Sequence, residues 1–199
     1  MMTCKEKAEV VFREELNRMK DQGLVDDILT IFEEQVPAYF FTAPAAKSGK
    51  YHPAVSNGRY GLIRHTLLVC NVAREFMQAF DVHDQTMKDN IIAACILHDC
   101  VKYGKFADEN GKSNENTTRT HGYEAMHILI QYDFPYEVCR AVGGHMGVWS
   151  CEGAKPYLFT EKPNVVTEIV MLADYMASRK FDDKYAKLAS VNYELLLED

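Results

Sequence analysis

Seven apolar residues in succession, 91–97, run directly into His98 and Asp99. A run of that kind is buried on most sides, so the imidazole and the carboxylate at its end emerge in the interior. Burying a charge is costly unless it is paired or bound to a metal, and the chain offers several partners. His65 follows Leu62 by three residues and precedes Val69 by four, which puts it on the apolar stripe of a helix. Asp174 follows the apolar stretch 169–173 and points the same way. His121 opens a helix after a polar loop, and His145 comes after Gly143-Gly144 at the end of another. Four imidazoles and two carboxylates thus arrive from several helices, the manner in which helical bundles assemble metal sites. Singly, each has a plainer role open to it: His65 as a core histidine, Asp174 as the buried partner of an arginine, His98-Asp99 as a chance pairing. His83-Asp84 is such a chance pairing. It sits in the polar turn 81–85 with no apolar run before it, and Asp84 reads as a helix cap. His127, six residues after His121, falls on another helical face and reads as structural or exposed. His52, before Pro53 in a long loop, stays undecided.

The elements that must carry these groups read as helices almost throughout. Amphipathic spacing predicts helices over 4–21 and 24–35, the second ended by Pro37. Further helices are expected at 60–80, 86–99, 121–132, 135–145 and 164–180, the last capped by Asn164, with a final amphipathic piece at 182–197. Between them lie a long irregular loop at 36–58, a polar loop at 101–119 and a second irregular stretch at 146–163. No run alternates long enough to build a sheet. The expected fold class is all-α: a single domain in which 1–57 forms N-terminal helices and a loop packed on a core at 58–180, followed by a C-terminal helix at 181–199.

Composition narrows the function classes. A net charge of -7 argues against a broad nucleic-acid surface, though not against a local basic pocket. The six cysteines are scattered, several within apolar segments, and form no C-x-x-C pair, so they read as reduced core thiols of a cytoplasmic protein. The first residues carry no apolar signal core, and no apolar stretch reaches membrane-spanning length. A soluble cytoplasmic protein that engages no membrane and no long nucleic acid is expected. The sequence leaves its oligomeric state open.

In order and spacing, His65, His98-Asp99, His121, His145 and Asp174 resemble the HD-domain superfamily of metal-dependent phosphohydrolases. The local contexts are similar as well: Gly61-Leu62-Ile63-Arg64-His65-Thr66, Leu97-His98-Asp99-Cys100-Val101-Lys102, His121-Gly122-Tyr123-Glu124-Ala125 and Gly144-His145-Met146-Gly147. The resemblance covers about residues 58–180. It implies an HD-domain-like helical bundle, here with two extra N-terminal helices. It further implies that His65, His98, Asp99 and Asp174 hold one divalent metal, with Asp99 bridging to a second held by His121 and His145. One or two ions of manganese, iron, nickel, cobalt or magnesium would suit mixed imidazole and carboxylate ligands.

The activity implied is hydrolysis of a phosphate ester or anhydride of a nucleotide or similar small molecule. Asp99 would orient the attacking water, and Lys102, about one helical turn on, would neutralise phosphoryl charge. Lys102 could equally be a solvated cation at a helix C-terminus. Arg59, Arg64, Lys105 and Trp149 are candidates for substrate contact, and Tyr39, Phe40, Phe41, Tyr51, Tyr157 and Phe159 add aromatic side chains to the loops. The first-motif context is most similar to the HD domains of certain bacterial 3'-to-5' exoribonucleases, which keeps a phosphodiesterase or exonuclease acting on short oligonucleotides as an alternative. A non-catalytic nucleotide-binding regulatory module is the third.

Overall fold

In the computed structural model, which describes residues 2–46, 52–113, 117, 119–151, 164–179, 191 and 193–197, every regular element among them is helical. Thr3 opens α1 (Cys4–Val11) through a capping box with Glu6. The single helix expected over 4–21 is broken, however. Phe12 adopts φ -100° and ψ 14° and divides α1 from α2 (Arg13–Arg18). Its ring is fully buried against Phe32 and Phe40. α2 then stops because Met19 turns extended and buried, and the next two backbone N–H groups, of Lys20 and Asp21, donate to Oδ2 of Asp89 at 2.9 and 2.8 Å. Asp89 is itself buried, and a third donor, Gln85 Nε2 at 2.7 Å, completes its shell. Asp21 caps α3 (Gln22–Glu34) by accepting from the Leu24 N–H.

The remaining helices are α4 (Gly61–Ala79), α5 (Gln85–Leu97), α6 (His121–Gln131), α7 (Tyr136–Gly144), α8 (Val165–Ala177) and α9 (Tyr193–Leu197). Asp84 and Asn164 cap α5 and α8 as their positions predict. α5 is the central helix, packed on α3, α4, α7 and α8, while α6 lies on α7 and α4 on α8. A helix enclosed on all sides is apolar all round, which accounts for the run 91–97, every residue of which is buried.

The 36–58 loop is more ordered than its composition suggests where it is described. It holds 3₁₀ turns at Ala38–Phe41 and Ala54–Ser56. Tyr39, Phe40 and Phe41 are core residues, Phe40 and Phe41 clustered on Phe32 with ring centroids 5.3 and 5.9 Å away. Their place is therefore in the packing and not in a pocket wall. Tyr51, Tyr157, Phe159 and most of the expected 182–197 helix lie outside the described residues, where only Tyr193–Leu197 of that piece is helical. All six cysteines are free, and Cys70, Cys95, Cys100 and Cys139 are buried. Among the described residues no helix is long and apolar enough to cross a membrane.

Candidate metal centre

Six polar side chains meet where α5 ends. His98 and His145 each stand immediately after the last residue of a helix, α5 and α7. The last carbonyls of a helix have no intrahelical partner. His98 Nδ1 lies 2.8 Å from the Cys95 carbonyl and His145 Nδ1 2.7 Å from that of Val142, each three residues back. His121, first residue of α6, places Nδ1 2.9 Å from the Thr117 carbonyl. A carbonyl only accepts, so in all three rings Nδ1 carries a proton and Nε2 is the nitrogen that faces the centre, with a lone pair wherever the ring is neutral. Gly122 lets α6 close on α7 here: a Cβ at that position would stand 2.9 Å from His145 Cε1.

Around the Asp99 carboxylate these nitrogens form two groups, each with its ligand atoms within 4.8 Å of one another: His65, His98 and Asp174, and Asp99, His121 and His145. In the first, His65 Nε2 lies 3.0 Å from Asp174 Oδ1 and 3.4 Å from His98 Nε2. In the second, Asp99 Oδ1 lies 3.1 Å from His121 Nε2 and 3.7 Å from that of His145. Asp99 Oδ2 faces the first group, 3.3 Å from His98 Nε2 and 3.6 Å from that of His65, and also pairs with the Lys102 ammonium. The carboxylate thus spans both groups.

Two observations favour cations here. Asp99 Oδ1 is buried and has no hydrogen-bond partner among the described residues. The Nε2 atoms of His121 and His145 stand 3.1 Å apart, although both present lone pairs. Lone pairs that converge on a buried carboxylate oxygen lack a positive charge, and a divalent ion held by either group would supply one. The residues present therefore fit the implied metals.

The protonation states follow from the same crowding of charges. Burial works against ionisation of Asp99, yet the Lys102 ammonium and His98 hold its carboxyl well below the usual carboxylate range. Asp174 is likewise held low, against burial, by its bond to His65. Burial and then the neighbouring His121 and His98 push His145 down to about 3, and burial also lowers His65. Burial opposes a charge on His98 too, but the charge and hydrogen bond of Asp99, with the charge of Asp174, together outweigh it and raise His98 to about 9, so this ring is cationic near neutral pH without metal.

These shifts give the metal-free protein a stability optimum near neutral pH. His145 stays neutral in the folded chain down to about 3 but takes a proton near the ordinary value of about 6.5 once unfolded. Stability is therefore lost as the pH falls below about 6.5. His98 acts in the opposite window: it contributes below about 6.5, and that contribution disappears as the pH rises through about 9. The urea midpoint of chelator-treated protein should accordingly be lower at about pH 5 and about pH 9.5 than near neutrality. A midpoint that rises steadily towards acid would refute this charge assignment.

The six ligand candidates read from the sequence converge here, together with two neighbours that the sequence does not mark. His52, undecided in sequence, sets its ring 5.0 Å from that of His65 at 69°, and burial, followed by the charges of His65 and Lys102, pushes it down to about 3. Thr117 ties the two sides of the centre: its hydroxyl donates to the Lys102 carbonyl at 2.7 Å, while its own carbonyl holds His121. Of the substrate-contact candidates, Arg59 pairs with Glu194 at 3.0 Å and Arg64 lies over the Tyr193 ring, so both engage α9. Lys105 donates to Gln35 and lines a cavity of about 670 Å³ with Phe106, Thr117, Tyr123 and His127, which none of the six ligands lines. Trp149 is exposed. His127 is exposed, and His83 pairs with Asp81 in a solvated turn.

No curated protein and no solved structure matches the chain. Residues 62–179 match the family model described as HD domain, a stretch that includes all six ligand candidates and more than half of the sequence, and the chain therefore belongs to the HD-domain superfamily of metal-dependent phosphohydrolases.

Proposed function

We propose that this centre hydrolyses a phosphate ester or anhydride of a small phosphorylated molecule, and that the molecule is a nucleotide. One observation carries the reading: a buried carboxylate shared by two ligand groups, with the Lys102 ammonium beside it. His65, His98 and Asp174 would hold one divalent ion and His121 and His145 the other, with Asp99 common to both. Bound ions of this kind lower the pKa of water and clamp phosphoryl oxygens. Asp99 orients the water, and its pairing with Lys102 keeps it ionised for that task. Lys102, which retains some solvent exposure, is placed to meet the charge that develops on the phosphoryl group. The protein's net charge of -7 favours a short anion over a long polyanion.

The direct test is phosphate release from nucleoside mono-, di- and triphosphates with manganese added, with chelator-treated protein as blank. Release that stops on chelation and returns with metal is expected. Shortening of a labelled oligonucleotide, with no turnover of mononucleotides, would replace the reading with a phosphodiesterase. Saturable nucleotide binding with no product from either substrate would replace it with a binding module.

A further inference from the structure

Three neighbours of the ligands gather on the surface beside Asp174. Trp149 comes four residues after His145, Tyr175 follows Asp174, and Arg179 lies one helical turn beyond Tyr175 on the same face. The Trp149 and Tyr175 rings are nearly parallel, at 11°, with centroids 6.2 Å apart, and the Arg179 guanidinium stands 4.1 Å from the Tyr175 centroid. Trp149 is 54% exposed and Tyr175 41%. A broad aromatic surface is thus kept in water, although among the described residues most of the other Phe and Tyr rings are buried.

The loop that carries Trp149 is held in place. Gly147 has φ +55°, and a Cβ there would stand 2.9 Å from Met171 Sδ on α8, so glycine eases the loop's close approach to that helix. The Trp149 N–H donates to the Met146 carbonyl at 3.1 Å, and its carbonyl accepts from Arg119 Nε at 3.3 Å. The Cys151 N–H donates to the Arg119 carbonyl at 3.0 Å, two residues before His121. The backbone that carries the indole is therefore tied to the turn before His121, and it closes on the helix that supplies Asp174. Asp174 has 19% of its side chain exposed, against 5% or less for each of the other five ligands. Asp174 is thus the ligand candidate that reaches solvent most, and Tyr175 is its neighbour along α8.

We propose that Trp149, Tyr175 and Arg179 form the platform that receives the base of a nucleotide whose phosphates reach the centre. Trp149 presents the stacking face, Tyr175 backs it, and Arg179 adds a cation to the same stack. Stacking of this kind is tolerant of base identity, because every base has a π-face. The platform would therefore separate nucleotides from base-free phosphates and do little to separate one base from another. The placement of the phosphates rests on the phosphohydrolase reading; the stacking does not.

Trp149 is the only tryptophan, so intrinsic fluorescence reads the platform directly. Magnesium-loaded protein would be titrated with a β,γ-methylene analogue of ATP and, separately, with tripolyphosphate. Saturable quenching by the first and none by the second is expected. In Trp149→Ala the ratio of kcat/KM for ATP over tripolyphosphate should fall about ten-fold, with a smaller fall in Trp149→Phe, which keeps a ring. Absence of quenching by the nucleotide, or an unchanged ratio in Trp149→Ala, would overturn the platform whether or not the protein hydrolyses ATP. Quenching without turnover of either compound would leave the platform standing and remove the hydrolase reading instead.

Discussion

Asp99→Asn should reduce phosphate release about a thousand-fold or more and weaken both metal sites together. No other ligand spans the two groups: Oδ1 faces His121 and His145, and Oδ2 faces His65, His98 and Lys102. Asparagine keeps the volume but replaces one oxygen with a donor. If that NH₂ takes the place of Oδ1, it faces two imidazole nitrogens and removes an anionic ligand. If it takes the place of Oδ2, it faces the Lys102 ammonium. Either orientation costs a charge that both groups share, so the loss cannot be confined to one. Metal content and hydrolysis should be measured on the same sample, with circular dichroism to show that the helices persist. Wild-type turnover by a metal-replete, folded Asp99→Asn protein would remove Asp99 from the mechanism.

Much of this centre was legible because its ligands are local signals. The run 91–97 is apolar on every side since α5 is enclosed by four other helices, and the two polar residues that end it had to face something in the interior. His98 and His145 occupy helix ends, and His65 and Asp174 lie at helical spacing from core residues, all of which spacing alone exposes. What the sequence concealed depends on distant partners. The break after Arg18 is fixed by Asp89, more than sixty positions away, whose carboxylate takes the two N–H groups that a longer helix would have used. Arg59 and Arg64 flank the first ligand in sequence, yet Glu194 and Tyr193 engage them from the far end of the chain. His52 lies in a proline-bounded loop with no periodicity to read, and only the tertiary fold brings it to His65.

Thr117 illustrates the same limit at shorter range. By composition it belongs to a polar loop, and nothing in its neighbours marks it. In the fold its hydroxyl and carbonyl join the Lys102 backbone to the His121 ring. That bridge places the cation and the second ligand group in register, so the turn after α5 serves both groups at once.

Lys102→Met should lower kcat/KM about a hundred-fold, chiefly through kcat, while metal content falls much less than in Asp99→Asn. Lys102 reaches Asp99 from three residues on, and Thr117 bonds its backbone carbonyl, so the ammonium sits at the edge of the centre, paired with Asp99. Its charge has two roles that kinetics can separate. As partner of Asp99 it keeps that carboxyl ionised, a ground-state effect that metals bound at the same carboxylate would largely supply. Facing the phosphoryl group, it acts only as charge develops, and no other group named here replaces it. Methionine keeps the length of the chain without the charge, so the folded arrangement should survive. Arginine restores the charge but spreads it over a planar fork that needs more room, and Lys102→Arg should recover only part of the rate. A rise in KM with kcat unchanged would assign Lys102 to substrate binding alone, and no change in either would reduce it to the charge partner of Asp99.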